Sequence, residues 1–230
     1  MSKYFKYAIG EILLVMIGIL LALQVNNWNQ QKNNEATLAQ FLKEFRDELQ
    51  LNISDFKEEI ERINRQLEQK NTLLKNTRLD TISLDTLENH IITKYILTGH
   101  NPSLLKRLEN AQITDFGKFD SIFGNLQEFY GFQWPNFNVT KDWHNNEVDR
   151  EDAYWRHGQN SYELKLSSGD SGLWRDSNSR KNELMGLLQT PLVRNMLKSD
   201  YYRKKNIKPQ IEYYIITAEK HLQEINNILK

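Results

Sequence analysis

The chain has 230 residues, of which 39% are hydrophobic and 26% charged, and its formal net charge is zero. This balance argues against a nucleic-acid-binding face, which needs an excess of lysine and arginine. The absence of cysteine excludes disulfides and cysteine-based zinc sites. The length suits one soluble domain of roughly 100–200 residues with a short additional element. We expect neither a nucleic-acid partner nor a cofactor.

The first element is an apolar run at residues 8–25, which read AIGEILLVMIGILLALQV and contain only Glu11 and Gln24 as strongly polar side chains. A helix of this length spans about 27 Å, close to the hydrocarbon thickness of a bilayer. Tyr7 and Trp28 flank the run, as aromatic rings do at membrane interfaces. No small-x-small cleavage site follows it. The sequence therefore predicts an uncleaved transmembrane helix.

The charges around this helix predict its orientation. Lys3 and Lys6 precede the apolar run, whereas the first charged residue after it is Lys32. Positive charges concentrate on the cytoplasmic side of membrane helices. We therefore expect residues 1–7 in the cytoplasm, a single pass through a bacterial inner membrane, and a periplasmic C-terminal domain.

Three residues of the apolar run predict a helix–helix contact within the membrane. Glu11 is a costly residue at membrane depth, and such residues are often functional. Gly18 and Ala22 lie on the same helix face as Glu11 and form a small-xxx-small pattern, which lets helices approach closely. The alternative is that Glu11 reaches water at headgroup depth while the two small residues have no partner.

The same region carries a family resemblance. Residues 6–29 combine a Gly-Glu pair at Gly10 and Glu11 with the exit sequence LQVNNWN at residues 23–29. Over this stretch the chain resembles the DUF6090 family of Bacteroidetes membrane proteins, which has no assigned reaction. Further along, only the helical pattern and the C-terminal helices are similar. The resemblance implies a single-pass membrane protein of that phylum and implies no catalytic residue.

The remainder of the chain predicts an all-α domain. After a polar linker at residues 26–34, apolar residues repeat at helical spacing through residues 35–75 and again from Ile211 to Leu229, beyond Pro209. Two long amphipathic helices of this kind predict an antiparallel helical bundle with coiled-coil-like helices. A coiled coil between chains is the alternative explanation of the same stripes.

Shorter elements are expected between the two long helices. Ser83 is placed to cap a helix that ends near Gly99, and Thr190 with Pro191 forms a strong helix start. From residue 129 to residue 180 the periodicity fades and turn residues alternate with aromatic ones. The sequence therefore predicts an irregular, aromatic-rich insertion over residues 129–180 within the soluble helical domain.

The aromatic residues of this insertion are candidates for a ligand or partner surface. The strongest candidates are Trp134, Trp143, Tyr154 and Trp155. Exposed apolar patches mark interaction sites, although rings in an irregular segment also form small clusters that attach it to the main core.

Weaker patterns suggest chemistry. His144 and Glu147 are three residues apart, and His157 follows, so a metal or acid/base site in the 143–157 loop is conceivable. A solvated acidic loop explains the same residues. The sequence Gly-Asp-Ser-Gly at residues 169–172 is similar to the nucleophile segment of a serine protease, but the helical pattern provides no matching scaffold, so it is interpreted as a turn.

These observations favour a membrane-anchored, non-enzymatic interaction domain that acts as a sensor or scaffold. Its expected partners are membrane lipid and either a second copy or another membrane protein. An envelope enzyme that uses the 143–157 loop is the first alternative. An accessory subunit of a larger membrane complex is the second.

Overall fold

The computed structural model describes residues 2–76, 78–99, 102–164 and 176–230, without the side chains of a few residues at the N-terminus. Every regular element in these ranges is helical, and none of the described residues forms a strand. The predicted all-α class is therefore confirmed for the described part of the chain. The Gly-Asp-Ser-Gly turn at residues 169–172 lies outside the described residues.

Helix α1, Ser2–Lys75, is one continuous helix that contains the predicted membrane segment. Residues 26–34, expected as a linker, are also helical. An 18-residue window near the start of α1 has a mean hydropathy of 2.4, and none of that window is buried. The first part of α1 is thus long and apolar enough to cross a membrane.

Two further long helical segments pack against the second part of α1. Helix α4, Asp120–Glu128, continues through a π-helical turn, Phe129–Gln133, into helix α5, Trp134–Ala153, which ends in a second π-helical turn, Tyr154–Gly158. Helix α7, Pro191–Ile228, is the third long segment. Together with the second part of α1 they form the helical body.

Specific contacts fix the directions of these helices. Helix α7 is antiparallel to α1, because Arg194 at its start donates to the carbonyl of Leu74 (3.2 Å), whereas Glu219 pairs with Lys57 (2.7 Å). The α4–α5 segment runs parallel to α1. At the start of this segment Phe123 contacts Phe45, and near its end Glu151 binds Arg203 of α7.

Short elements connect the long helices. They comprise a 3₁₀ turn at Leu79–Thr81, helix α2 at Leu84–Ile91, helix α3 at Ser103–Asn110, a 3₁₀ turn at Gly117–Phe119 and helix α6 at Ser177–Leu188. The side chain of Ser83 accepts from the amide of Thr86, and that of Thr190 accepts from the amide of Val193. Both predicted helix starts are therefore confirmed.

The expected helix from Ser83 to Gly99 is wrong in its second half. Helix α2 ends at Ile91, and residues 92–99 have no regular secondary structure. This segment lies along α5, where Asn145 binds both the amide and the carbonyl of Ile96. Side chains of α5 thus replace the hydrogen bonds that a longer helix would have made. We call residues 92–99 the strap.

The expected irregular insertion at residues 129–180 is also wrong over most of its described length. Residues 129–158 and 177–180 are helical, and only residues 159–164 and 176 are irregular among those described. The aromatic residues obscured the helical period because buried rings and partly exposed rings alternate around α5. Residues 165–175 lie outside the described residues.

Helix α7 passes through Pro209 without ending, although the sequence suggested a new helix after it. Proline removes one backbone hydrogen bond, to the carbonyl four residues earlier. That carbonyl belongs to Lys205, and both residues are exposed, so water can satisfy it. Burial of Ile207 and Ile211 on the opposite face maintains the helix.

The body contains two hydrophobic clusters. The larger one joins α1, α3, α4, α5 and α7, and Trp134, Phe45 and Phe129 lie fully buried within it. The smaller cluster, at the end far from the apolar segment, joins the end of α1 to α2, α6 and the start of α7 around Leu87 and Leu184. Buried charged residues lie between the two.

Candidate functional site

The distinctive site of the body is a group of charged and polar side chains removed from solvent. Asp200 and Lys204 are 0% exposed, Lys70 is 1% exposed, and Arg203 and Glu151 are also buried. Three cations and two carboxylates from α1, α5 and α7 therefore share one interior. We call these five residues the buried charge cluster.

Asp200 is the central acceptor of this cluster. Its Oδ1 atom lies 2.5 Å from Nζ of Lys204 and 3.7 Å from Nη2 of Arg203, whereas its Oδ2 atom lies 3.6 Å from Nζ of Lys70. A buried charge is tolerated when it is paired and hydrogen-bonded. One carboxylate thus pairs with cations from two helices.

Lys70 joins the cluster to the end of α2. Its Nζ donates to the carbonyls of His90 (2.9 Å), Ile91 (2.8 Å) and Ile92 (3.1 Å). The last carbonyls of a helix have no partner within it and carry partial negative charge. The ammonium of Lys70 therefore caps α2 and explains why the chain leaves the helix at Ile91.

Arg203 connects α7 to α5. Its Nη2 donates to Oε1 of Glu151 (2.6 Å), and its Nε donates to Nδ1 of His144 (3.3 Å). The other imidazole nitrogen, Nε2, lies 3.2 Å from the carbonyl of Lys94. Since Nδ1 accepts and the carbonyl requires a donor, His144 is the neutral tautomer protonated at Nε2.

The pKa values in the cluster follow from burial and charge. Burial, assisted by the charge of neighbouring Lys204, lowers the pKa of His144 to about 4. Burial also lowers the pKa of Lys70 to about 8, although Asp200 opposes this shift. Burial by itself would raise the pKa of Asp200, but Lys204 and Lys70 hold it below its usual value.

The strap is attached to the same site. Oγ1 of Thr93 donates to Oε2 of Glu151 (2.5 Å), and the hydroxyl of Tyr95 donates to Asp149 (2.5 Å). The carbonyl of Thr98 receives Nζ of Lys141 at 3.5 Å. The cluster therefore holds five segments in register, namely α1, the end of α2, the strap, α5 and α7.

The polar atoms of His144 and Lys70 are occupied by hydrogen bonds that hold the helices together. His144 uses both ring nitrogens, and Lys70 places its three donors on carbonyls. A general base or a metal ligand needs a free lone pair directed at its substrate or ion. The geometry thus favours a structural junction over the predicted acid/base site.

The predicted aromatic surface divides into two groups. Trp134 is 0% exposed, and Trp155 is also buried, so neither can present a ring to a partner. Trp134 packs on Phe56, with 4.8 Å between ring centroids. Tyr154 is partly buried and contacts Trp155. Trp143, with 54% of its surface exposed, is the only one of the four predicted residues on the surface.

The weak metal candidates are not brought together. His144 is buried in the cluster, Glu147 binds Arg150 on its own helix, and His157 is exposed in the π-helical turn. Among the described residues, no group of three or more histidine, aspartate or glutamate side chains could hold a metal ion.

The three membrane residues lie on the part of α1 that no other described element contacts. Glu11, Gly18 and Ala22 are all exposed, and a Cβ atom added to Gly18 would meet nothing within 4 Å. This face of α1 is therefore open to lipid or to another helix.

Sequence reasoning missed the buried charge cluster, although one signal was present. Lys70 interrupts the apolar stripe of α1, and Asn52, Glu59 and Gln66 recur at seven-residue intervals on the buried side of the same helix. Polar residues at core-facing heptad positions indicate buried partners. Their partners on α7 could not be identified, because nothing in the sequence relates residue 70 to residue 200.

Comparison of the chain with models of known families, with curated proteins and with solved structures finds no match.

Proposed function

We propose that this chain is a membrane-anchored, non-enzymatic interaction domain, with its N-terminus in the cytoplasm and its helical body in the periplasm. The observation that carries the proposal is the continuity of α1, which passes from an exposed apolar segment into the core of the body without a break. The resemblance of residues 6–29 to the DUF6090 family of Bacteroidetes proteins agrees with an inner-membrane location.

The buried charge cluster supports a role in transmitting movement. Lys70 lies on the same helix as the apolar segment and binds both α2 and α7. A shift or rotation of α1 would therefore move the body as a unit, which is how helical domains joined to membrane helices act as sensors or scaffolds. In this proposal the body would pass such a movement to a partner protein.

The proposed partners are membrane lipid and either a second copy or another membrane protein. Within the membrane, the face formed by Glu11, Gly18 and Ala22 is the proposed contact, because small residues allow close helix packing and a carboxyl group can hydrogen-bond across it.

The anchoring is tested with Ile17→Arg and Leu20→Arg in one chain. Each arginine at the centre of a membrane helix costs roughly 2.5–3.5 kcal/mol of insertion free energy, so we expect the double variant to leave the carbonate-washed membrane fraction. The matched control is Leu51→Arg with Ile216→Arg, two exposed positions of the body. Wild-type chain in the soluble fraction without detergent would contradict the proposal.

The orientation is tested by labelling a single introduced cysteine. The natural chain has no cysteine, so Ser54→Cys, at an exposed position of α1, provides a unique thiol. We expect a membrane-impermeant maleimide to label it in cells with a permeabilised outer membrane. Labelling only after lysis of the inner membrane would place the body in the cytoplasm.

A further inference from the structure

One surface of the α5–α7 pair carries a row of large side chains that the body leaves uncovered. More than half of each side chain is exposed. The row, which we call the α5–α7 strip, consists of Phe132, Val139, Trp143, Tyr202 and Tyr213. Exposed apolar groups that collect on one side of a molecule mark interaction surfaces, and Trp and Tyr are prominent among the residues that dominate binding.

The positions of the strip residues follow from helix geometry. Trp143 precedes His144 and Tyr202 precedes Arg203, the two residues that are hydrogen-bonded across the α5–α7 contact. Stepping back by one residue rotates a side chain by about 100° around its helix. Because α5 and α7 are antiparallel, this step turns Trp143 and Tyr202 towards the same side of the pair.

The end of the strip formed by Phe132 and Tyr213 repeats this arrangement. Tyr214 donates to the carbonyl of Gln133, and the residues that precede these two, Tyr213 and Phe132, are exposed. The two helices therefore keep one register from the first contact to the second. The strip extends about 16 Å along them, at a rise of 1.5 Å per residue.

Opposite charges border the strip at the same level. The register that places His144 opposite Arg203 places Asp142 of α5 level with Lys205 of α7. Asp142 and Lys205 are exposed and lie on the outer edges of the pair, beyond the strip. Neither forms an ion pair with another residue in the described part of the chain. One edge of the strip thus carries an acid and the other a base.

We propose that the α5–α7 strip is the contact between two copies of this chain that stand side by side in one membrane. The inference rests on the proposed membrane anchoring, because anchored copies point in the same direction and hold their bodies at the same height. A two-fold axis along the membrane normal then places α5 of one copy opposite α7 of the other. Asp142 of each copy faces Lys205 of the second copy.

The charges favour a second copy over an unrelated occupant. A two-fold interface uses the same patch on both subunits, so the patch must complement itself. The strip meets this condition, because rotation about its centre exchanges the acidic edge with the basic edge at one level. The rings then pack in the middle, and the charges lie at the rim, as in most protein interfaces.

Charge reversal of the full chain in mild detergent tests the proposal. Asp142→Lys alone, or Lys205→Asp alone, places like charges opposite one another. We expect the dissociation constant of the dimer, measured by sedimentation velocity, to rise at least tenfold. The double variant exchanges the two edges and restores the attraction, so its dimer should match the wild type. Single variants with unchanged mass, or a double variant that stays monomeric, would overturn the strip.

Disulfide formation tests the same contact independently of affinity. A chain with Asp142→Cys is produced together with a differently sized chain with Lys205→Cys, and we expect a cross-linked pair of the two sizes in the membrane. The matched control combines Glu61→Cys with Glu212→Cys, exposed positions of α1 and α7 outside the strip. Equal cross-linking of the control pair would indicate random collision and reject the proposal.

The two proposals fail in different ways. If the chains sediment with the membrane and associate but the strip cysteines do not cross-link, the strip is wrong and the anchored interaction domain stands. If the wild-type chain is recovered without detergent in the soluble fraction, the anchoring itself is wrong.

Discussion

The two ends of the helical body are stabilised by different chemistry. In the half closer to the apolar segment, rings fill the space between α1, α5 and α7. Phe56 contacts Trp134 at 4.8 Å and Phe137 at 6.2 Å between ring centroids. In the far half, the interior holds the buried charge cluster and a second buried ion pair, between Glu88 and Arg180, which Tyr162 also joins.

The two halves differ in how strongly their stability depends on pH and on single substitutions. Most of the stabilisation from these aromatic contacts comes from apolar area removed from water, so it depends little on pH. Buried ion pairs gain little over apolar packing, but removing one partner leaves an uncompensated charge. The far half therefore fixes the register of the helices, and it is the half that single substitutions and pH changes should affect most.

The largest effect is expected from Asp200→Asn. The variant keeps the shape of the side chain but leaves Lys70, Arg203 and Lys204 buried with Glu151 as the remaining carboxylate of the cluster. Loss of one partner of a buried ion pair costs roughly 3–5 kcal/mol of unfolding free energy. Urea unfolding of the detergent-solubilised chain measures it. The control, Asp55→Asn at an exposed position, should change stability by less than about 0.5 kcal/mol.

An Asp200→Asn variant as stable as the control would show that the far half does not depend on its charges. Lys70 or Lys204 would then have to be neutral in the folded chain, because arginine stays charged in proteins. The two halves of the body would then differ less than their residues suggest.

Acid should weaken the far half through His144. Its pKa is lowered from 6.5 to about 4 in the folded chain, so between these values the unfolded chain binds a proton that the folded chain does not. Unfolding free energy therefore falls as pH drops from 6.5 to 4, by about 3 kcal/mol from this group. Unfolding midpoints measured across this range test it.

The variant His144→Gln isolates this contribution, because glutamine offers one donor and one acceptor but does not titrate. We expect its stability to depend less on pH between 4 and 6.5 than that of the wild type. His157→Gln, at an exposed position, should keep the wild-type slope. Identical slopes in all three chains would mean that His144 is already protonated when folded.

The sequence predicts some features of the two halves and misses others. The long amphipathic helices and the helix starts at Ser83 and Thr190 follow from local spacing and capping chemistry. The aromatic core was underestimated, because Trp134 and Trp155 lie in a segment whose turn residues suggested a loop. Burial of a ring depends on what packs against it, and that contact comes from a distant part of the chain.

The candidate site was the least predictable part. His144 was considered as a metal ligand from its spacing to Glu147, yet its partners are Arg203 and the carbonyl of Lys94. A buried pair separated by dozens of residues leaves no periodic signal. The polar interruption at Lys70 was visible, but its meaning depends on the geometry of α2 and α7.

Glu48 is a titrating exception in the near half, and its pH dependence has the opposite sign to that of His144. Burial raises the pKa of Glu48 to about 7 from 4.5, with neighbouring Asn52 opposing the shift. Between these values the folded chain holds a proton that the unfolded chain has lost, so this contribution to stability falls as pH rises from 4.5 to 7. The effect is smaller than that of His144, because Glu48 is only partly buried.

The variant Glu48→Gln should be stabilised relative to the wild type at pH 8 more than at pH 4, as measured by urea unfolding at both values. Glu58→Gln on the exposed side of α1 is the control, and we expect it to show no such difference. If Glu48→Gln gains no stability at the higher pH, the pKa of Glu48 in the folded chain is that of an ordinary glutamate, and the prediction is wrong.

The smallest effect is expected from the ion pair on the surface of the near half. Lys57 and Glu219 are 2.7 Å apart and join α1 to α7, but both side chains are about half exposed, at 58% and 47%. Exposed pairs of this kind contribute about 0.2–1 kcal/mol and are screened by salt. A double-mutant cycle with Lys57→Ala and Glu219→Ala should give a coupling in that range, which disappears in 1 M salt. The buried and the surface ion pairs differ in exposure. A coupling as large as the cost of Asp200→Asn would show that exposure does not determine the strength of an ion pair in this chain.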